Sequence, residues 1–338
     1  MKNKGLIVTI ILLGVILIGT FTYEMGQKNV TTETTTKEIK TVGILQFVSH
    51  PALDQIYEGV VDTLEKEGFK EGENFKIEFQ NGQADQSKLA TMSEQLVNKK
   101  ADVLVGIATP AVQALANATS NLPIVMGAVT DPVSAGLVND SEHPDKNITG
   151  VSDKAPADKQ ILLGTQLLPD AKSVGMLYSS TEDNSKYQVQ EAKKAAEELG
   201  LEVKTFAIPS SNEISQTVQV MSDQVDFIYI PLDNTIANAM PTVINEANKK
   251  KIPVIPSVDT MVEQGGLATI GINQYNLGVK TGEMAAQLLK GEKKIEELPI
   301  YTFKDGETLI NKEQADFLGV DIPKEILDEA TEIGGDTK

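Results

Sequence analysis

Polar side chains recur where apolar runs of this chain end. In the first half they are Ser49-His50-Pro51 after residues 42–47, Thr109-Pro110 after residues 103–107, and Thr130-Asp131-Pro132. In the second half they are Ser179-Ser180 with Asn184, then Asp233-Asn234, then Ser257 and Asp259. Unpaired N–H groups and partial positive charge at a helix start favour a bound carboxylate, which makes Thr109 and Ser180 candidates for that role. A carboxylate holds an ammonium group, which makes Asp131 or Asp233 the candidate counter-ion. Phe47, His50 and Pro51 are placed to flank a ring, although Phe47 reads equally well as the end of a core strand. Any one Ser, Thr, Asp or Asn at such a junction also serves as an N-cap worth about 1 kcal/mol with no ligand present. The weight therefore rests on the set. Thr109-Pro110 and Asp233-Asn234 occupy matching places in the two halves, and matched loops face each other across a cleft.

Chemistry beyond binding finds no support. The chain has 338 residues, no cysteine and two histidines, His50 and His143, which fall in no common loop. A thiolate nucleophile, a disulfide, a metal site and histidine catalysis are all disfavoured, and no cofactor is expected. There is no nucleophile elbow and no phosphate-binding glycine loop, so an enzyme is not expected. A net charge of −18 argues against nucleic acid and against anionic membrane surfaces as partners.

The elements that must position these residues are written twice. Lys40-Thr41-Val42-Gly43-Ile44-Leu45 returns as Lys172-Ser173-Val174-Gly175-Met176-Leu177. Ala101-Asp102-Val103-Leu104-Val105 returns as Val225-Asp226-Phe227-Ile228-Tyr229, and Leu122-Pro123-Ile124-Val125 as Ile252-Pro253-Val254-Ile255. Gly136-Leu137 returns as Gly266-Leu267, so order and spacing persist to the end of each half. Within each half, short apolar runs alternate with helically spaced ones. Strands are expected at 42–47, 75–79 and 103–107, then at 174–178, 203–208, 227–230 and 254–255; helices are expected near 185–199, 213–221 and 236–249. Alternating units of this kind predict an α/β fold of two doubly wound parallel-sheet lobes, with ligands at the carboxyl ends of the strands and in the cleft between lobes.

At the N-terminus, Met1-Lys2-Asn3-Lys4 precedes an uncharged, apolar run from Gly5 to Phe21. A full span takes roughly 20 apolar residues, so length alone fits an anchor or a cleaved signal; Thr20-Phe21-Thr22 offers no small-residue cleavage site, which favours reading residues 1–25 as an uncleaved anchor with the body outside over a cleaved signal. Residues 26–40, threonine-rich and polar, read as a flexible tether.

Several stretches together resemble a known family. Ser49-His50-Pro51-Ala52-Leu53-Asp54, Gly106-Ile107-Ala108-Thr109-Pro110-Ala111, Val129-Thr130-Asp131-Pro132-Val133-Ser134-Ala135-Gly136-Leu137 and Pro231-Leu232-Asp233-Asn234-Thr235 look like the substrate-binding proteins of ABC importers of the tryptophan/tyrosine type. The resemblance implies a periplasmic-binding-protein fold of type I, its lobes joined by three crossings, closing on an amino-acid ligand. It also implies delivery to a permease with a cytoplasmic ATPase, by a monomer. The crossings fit near 150–153, 271–275 and 291–297. They divide the chain into a first lobe of 41–151 plus 274–292 and a second of 152–273 plus 293–338. The family's lipid-carrying cysteine is missing, which leaves the tethering to the apolar segment. A sensor domain of the same fold, binding an aliphatic amino acid or a nucleoside, is the alternative.

Overall fold

The computed structural model describes residue 14, residues 39–304 and residues 306–333. The expected anchor and most of the expected tether lie outside these residues. Among the described residues no helix is long and apolar enough to cross a membrane.

The first lobe begins with β1 (Lys40–Gln46), α1 (Pro51–Lys66), β2 (Phe75–Asn81), α2 (Gln86–Asn98), β3 (Val103–Ile107), α3 (Thr109–Ala118), β4 (Ile124–Gly127) and β5 (Ile148–Ser152). The second lobe follows with α4 (Ala157–Leu167), β6 (Ser173–Ser179), α5 (Asp183–Glu198), β7 (Glu202–Ile208), α6 (Ile214–Ser222) and β8 (Phe227–Ile230). It continues with α7 (Asn234–Ala237), α8 (Met240–Lys249), β9 (Val254–Pro256), α9 (Asp259–Glu263) and β10 (Ala268–Gly271). The chain returns to the first lobe for α10 (Gln274–Lys290) and β11 (Tyr301–Thr302), then ends in the second with β12 (Glu307–Asn311), α11 (Lys312–Leu318), α12 (Lys324–Glu329) and β13 (Thr331–Ile333).

The first sheet runs β11-β5-β4-β3-β1-β2, and all its strands are parallel. Its central strands are buried on both faces, which is why Val103-Leu104-Val105-Gly106-Ile107 reads as a continuous apolar run. The second lobe carries the parallel sheet β7-β6-β8-β9. Each sheet reverses its strand order once, beside β1 in one lobe and beside β6 in the other. Such a switch point opens a crevice at the carboxyl ends of the strands.

The two parallel sheets are as expected, and the second lobe adds a smaller sheet, β10-β12-β13, in which β10 pairs antiparallel with β12. Two expectations need correction. The third crossing falls later than residues 291–297: Leu298 and Ile300 are buried in the first lobe's core, and β11 pairs with β5. The helix expected over 236–249 is broken into α7 and α8, since Pro241 in the first turn of α8 has no N–H to continue an upstream ladder.

Candidate functional site

A narrow cavity lies between the lobes. Its walls are the strand ends that the two switch points bring together: His50 after β1, Ala108 and Thr109 after β3, Ala128 and Thr130 after β4, and Asp153 after β5. Asn184 follows β6, Leu232, Asp233 and Asn234 follow β8, and Val258 follows β9.

On the first lobe's side, two non-glycine residues carry left-handed backbone, Ala108 at φ 77° and Ala128 at φ 72°. Left-handed backbone costs an L-residue roughly 1–3 kcal/mol and persists where the surroundings enforce it. Here neighbouring strands do so: the Ala108 N–H donates to Gly127 O at 3.1 Å and the Val129 N–H to Val151 O at 3.2 Å. These turns aim Thr109 and Thr130, both buried, at the cavity. The Asp153 carboxylate is hydrogen-bonded by the Thr130 side chain, yet burial dominates and pushes its pKa up to about 6. Its Oδ1 is sealed from solvent and has no hydrogen-bond partner. A buried acceptor left unpaired costs about 1–3 kcal/mol, and more when charged.

The second lobe's wall is organised by Glu182, which is 0% exposed. Its Oε1 accepts from the Thr235 N–H at 2.8 Å and from the Thr235 hydroxyl at 2.7 Å. Its Oε2 accepts from Asn234 N at 3.2 Å, Asn234 Nδ2 at 2.6 Å and Asn184 Nδ2 at 3.1 Å. Asn184 Nδ2 also donates to Leu232 O at 2.8 Å, which leaves Asn184 Oδ1 buried and unpaired. Asp233 caps α7, accepting from Ile236 N at 2.8 Å and from Ser179 N at 2.5 Å. Burial and the neighbouring Glu182 raise its pKa.

The lobes touch across the cleft. His50 Nε2 lies 3.3 Å from Asn234 Oδ1, Gln86 Nε2 donates to Thr181 O at 2.7 Å, and Gln113 Nε2 donates to Asp183 Oδ2 at 3.2 Å. Ala52 of α1 packs among second-lobe residues. The conformation is closed.

Of the residues singled out from sequence, His50, Thr109, Asn184, Asp233 and Asn234 line the cavity. The others do not. Phe47 is 1% exposed within the first lobe's core, so the reading of a strand end holds over that of a ring contact. Ser49 is exposed and donates to Asp54 Oδ2 at 2.7 Å, while Pro51 starts α1 beside an outer groove. Pro110 sits behind Thr109 and faces a groove on the first lobe's surface. Asp131 turns back to accept from Ser134 N at 2.7 Å, and Pro132 is buried beneath that same turn. Ser179 is buried, its hydroxyl 2.9 Å from Thr181 Oγ1, and Ser180 points outward with its hydroxyl 3.2 Å from Ile208 O. Ser257 is held in a buried network with Gln160 and Tyr229. Asp259 is buried at the start of α9, where desolvation lifts its pKa to about 6.

Sequence reasoning passed over Asp153, Glu182 and Gln274 and did not weigh Thr130 by itself. Asp153 was hidden because residues 150–153 read as a crossing, whereas β5 occupies Ile148–Ser152. A lone carboxylate directly after an apolar run was the available signal.

The sequence matches the family described as ABC transporter substrate binding protein over residues 41–333. The chain belongs to that family. It is 40% identical to the tyrosine-binding protein of Clostridioides difficile over 281 residues, 83% of this chain and 81% of that one. A domain from Streptococcus pneumoniae in complex with L-Trp is 51% identical, with a TM-score of 0.85 over 88% of this chain and 100% of its own. The ligand-free, open structure of a Clostridium difficile substrate-binding protein is 39% identical over the same shares, but its TM-score is 0.67. The substrate-binding protein described here therefore lies nearer the ligand-bound arrangement, as the bonds across its cleft require. A binding-protein family also fits the absence of catalytic motifs in the sequence.

Proposed function

We propose that this substrate-binding protein captures tyrosine or tryptophan outside the cell membrane and delivers it to an ABC permease driven by a cytoplasmic ATPase. The observation that carries the ligand class is Asp153, a sealed carboxylate oxygen in the interlobe cavity with no partner of its own. An α-ammonium group supplies the missing donor and charge. The Thr109 hydroxyl, at the N-terminus of α3 where the helix dipole favours an anion, receives the α-carboxylate. Ala52, Leu53, Leu232, Ala237 and Val258 supply apolar surface for the side chain. Names of relatives support tyrosine and tryptophan over aliphatic ligands.

The protein works without bond-making. Ligand bridges the lobes and stabilises the closed form, which the permease recognises by contacts that the open form does not offer. Residues 1–25 anchor it as an uncleaved segment, residues 26–40 tether it, and it acts as a monomer with no nucleic-acid partner. The test is calorimetric titration of L-tyrosine and L-tryptophan into the wild type and Asp153→Asn. Removing one partner of a buried charge pair costs about 3 kcal/mol or more, so affinity is expected to fall about a hundredfold. Unchanged affinity in the variant would take the ammonium away from Asp153.

A further inference from the structure

We infer that His50 is held as a neutral hydrogen-bond acceptor that reads a donor on the ligand's side chain, the indole N–H of tryptophan or the phenol O–H of tyrosine. The inference rests on the aromatic-amino-acid reading above and deepens it.

The argument starts at Glu182 and travels outward. This carboxylate meets only donors, and one of them is Asn234 Nδ2 at 2.6 Å. The Asn234 amide is thereby oriented, because a flipped amide would set two oxygens against each other. Asn234 Oδ1 then faces His50 Nε2 at 3.3 Å, and an oxygen without a proton requires Nε2 to be the donor. A neutral imidazole has one N–H, and burial keeps His50 neutral by lowering its pKa. The remaining nitrogen, Nδ1, therefore carries a bare lone pair.

That lone pair has no partner. Nδ1 is buried without a hydrogen bond, and His50, 7% exposed, lines the cavity. His50 is the N-cap of α1, yet its side chain caps no backbone N–H. The unpaired Oδ1 of Asn184 belongs to the second lobe's wall of the same cavity, fixed by the same Glu182 carboxylate. The head group of an amino acid is satisfied by Asp153 and Thr109 on the first lobe's side. His50, at the start of α1 beside Ala52 and Leu53 of the apolar lining and tied across the cleft to Asn234, belongs to the part of the cavity assigned above to the side chain. Polar acceptors among the apolar residues there demand a donor, and phenylalanine has none.

A site built to bond a substrate O–H or N–H disfavours an analogue lacking it, because its own polar atoms stay buried and unpaired. The test titrates L-tyrosine, L-tryptophan and L-phenylalanine into the full-length chain in mild detergent, alongside ¹⁵N NMR of the histidines. With only two histidines, a His143→Gln variant assigns both signals. The expected result is an Nε2–H tautomer at His50 and about ten- to a hundredfold weaker binding of phenylalanine. His50→Leu should close that gap by weakening tyrosine and tryptophan, and His50→Asn, which keeps an acceptor near Nδ1, should retain much of it. Glu182→Gln, which offers Asn234 a donor, should admit the Nδ1–H tautomer. Phenylalanine binding as tightly as tyrosine, or an Nδ1–H tautomer in the wild type, would overturn the inference while leaving the aromatic receptor standing. If none of the three amino acids binds, both fall. Should His50→Leu fail to fold, the wild-type tautomer and affinity ratio still decide.

Discussion

Asp153 and Asp259 show how a single side chain is set by what covers it. Both are ordinary surface-type residues by sequence, and burial pushes both up to about 6 from an ordinary 3.8. Between those values the folded protein holds protons that the unfolded chain has released, so stability falls as pH rises through that window. Ligand-free protein is therefore expected to melt at a higher temperature near about pH 5 than near about pH 7. Flat melting temperatures across that range would mean that these carboxyls titrate normally. Ligand binding should reverse the trend at Asp153: an ammonium needs the ionised carboxylate, so tyrosine affinity should weaken as pH drops below about 6, with proton release on binding at and below that pH. Titrations in two buffers of different ionisation enthalpy would detect that proton.

Among the elements, the pair α1 and α10 sets the first lobe's frame. They cross so closely that a Cβ on Gly278 would lie 2.1 Å from Ile56 O, and one on Gly59 would lie 2.3 Å from Tyr275 O. Backbone cannot yield there as a flexible side chain would. Gly278→Ala is expected to destabilise by about 1–3 kcal/mol, read as a lower urea midpoint with an unchanged slope. Because α10 begins at the second crossing, with Gln274 in the cavity wall, the same variant should also weaken ligand binding. The duplicated halves repeat their bonds as well as their sequence. Asp102 Oδ2 accepts from Thr41 N at 2.8 Å, and Asp226 Oδ2 accepts from Ser173 N at 2.8 Å, each pinning the start of a first strand.

For the molecule as a whole, closure depends on a few polar contacts between lobes. Gln86 and Gln113 reach across at the rim, and neither lines the ligand cavity. Replacing both by Ala removes two bonds that exist only in the closed form, each worth about 0.5–1.5 kcal/mol. The expected effect is up to about a hundredfold weaker ligand affinity, with folding stability little changed. Small-angle scattering supplies the structural readout: the wild type should contract on adding tyrosine, and the double variant should need more ligand to do so. Identical scattering with and without saturating ligand would remove hinge closure from the mechanism.

The sequence by itself determined the two α/β lobes, the strands from β1 to β9 except β4 and β5, and the rule that the site lies at their carboxyl ends. It could do so because strand burial, helical spacing and duplication are written in residue order. It also placed His50, Thr109, Asn184, Asp233 and Asn234 at the cavity, since loops after central strands must converge there. What only the tertiary structure decided is which polar groups are free. Asp131 and Asp233 looked like ligand carboxylates but are already engaged, Asp131 by the Ser134 N–H and the Tyr187 side chain and Asp233 by the N–H groups of Ile236 and Ser179. Asp153 looked like part of a linker and holds an unpaired oxygen in the cavity. Residue type and spacing tell which atoms are able to bond; whether a bond is already made depends on neighbours brought from distant parts of the chain.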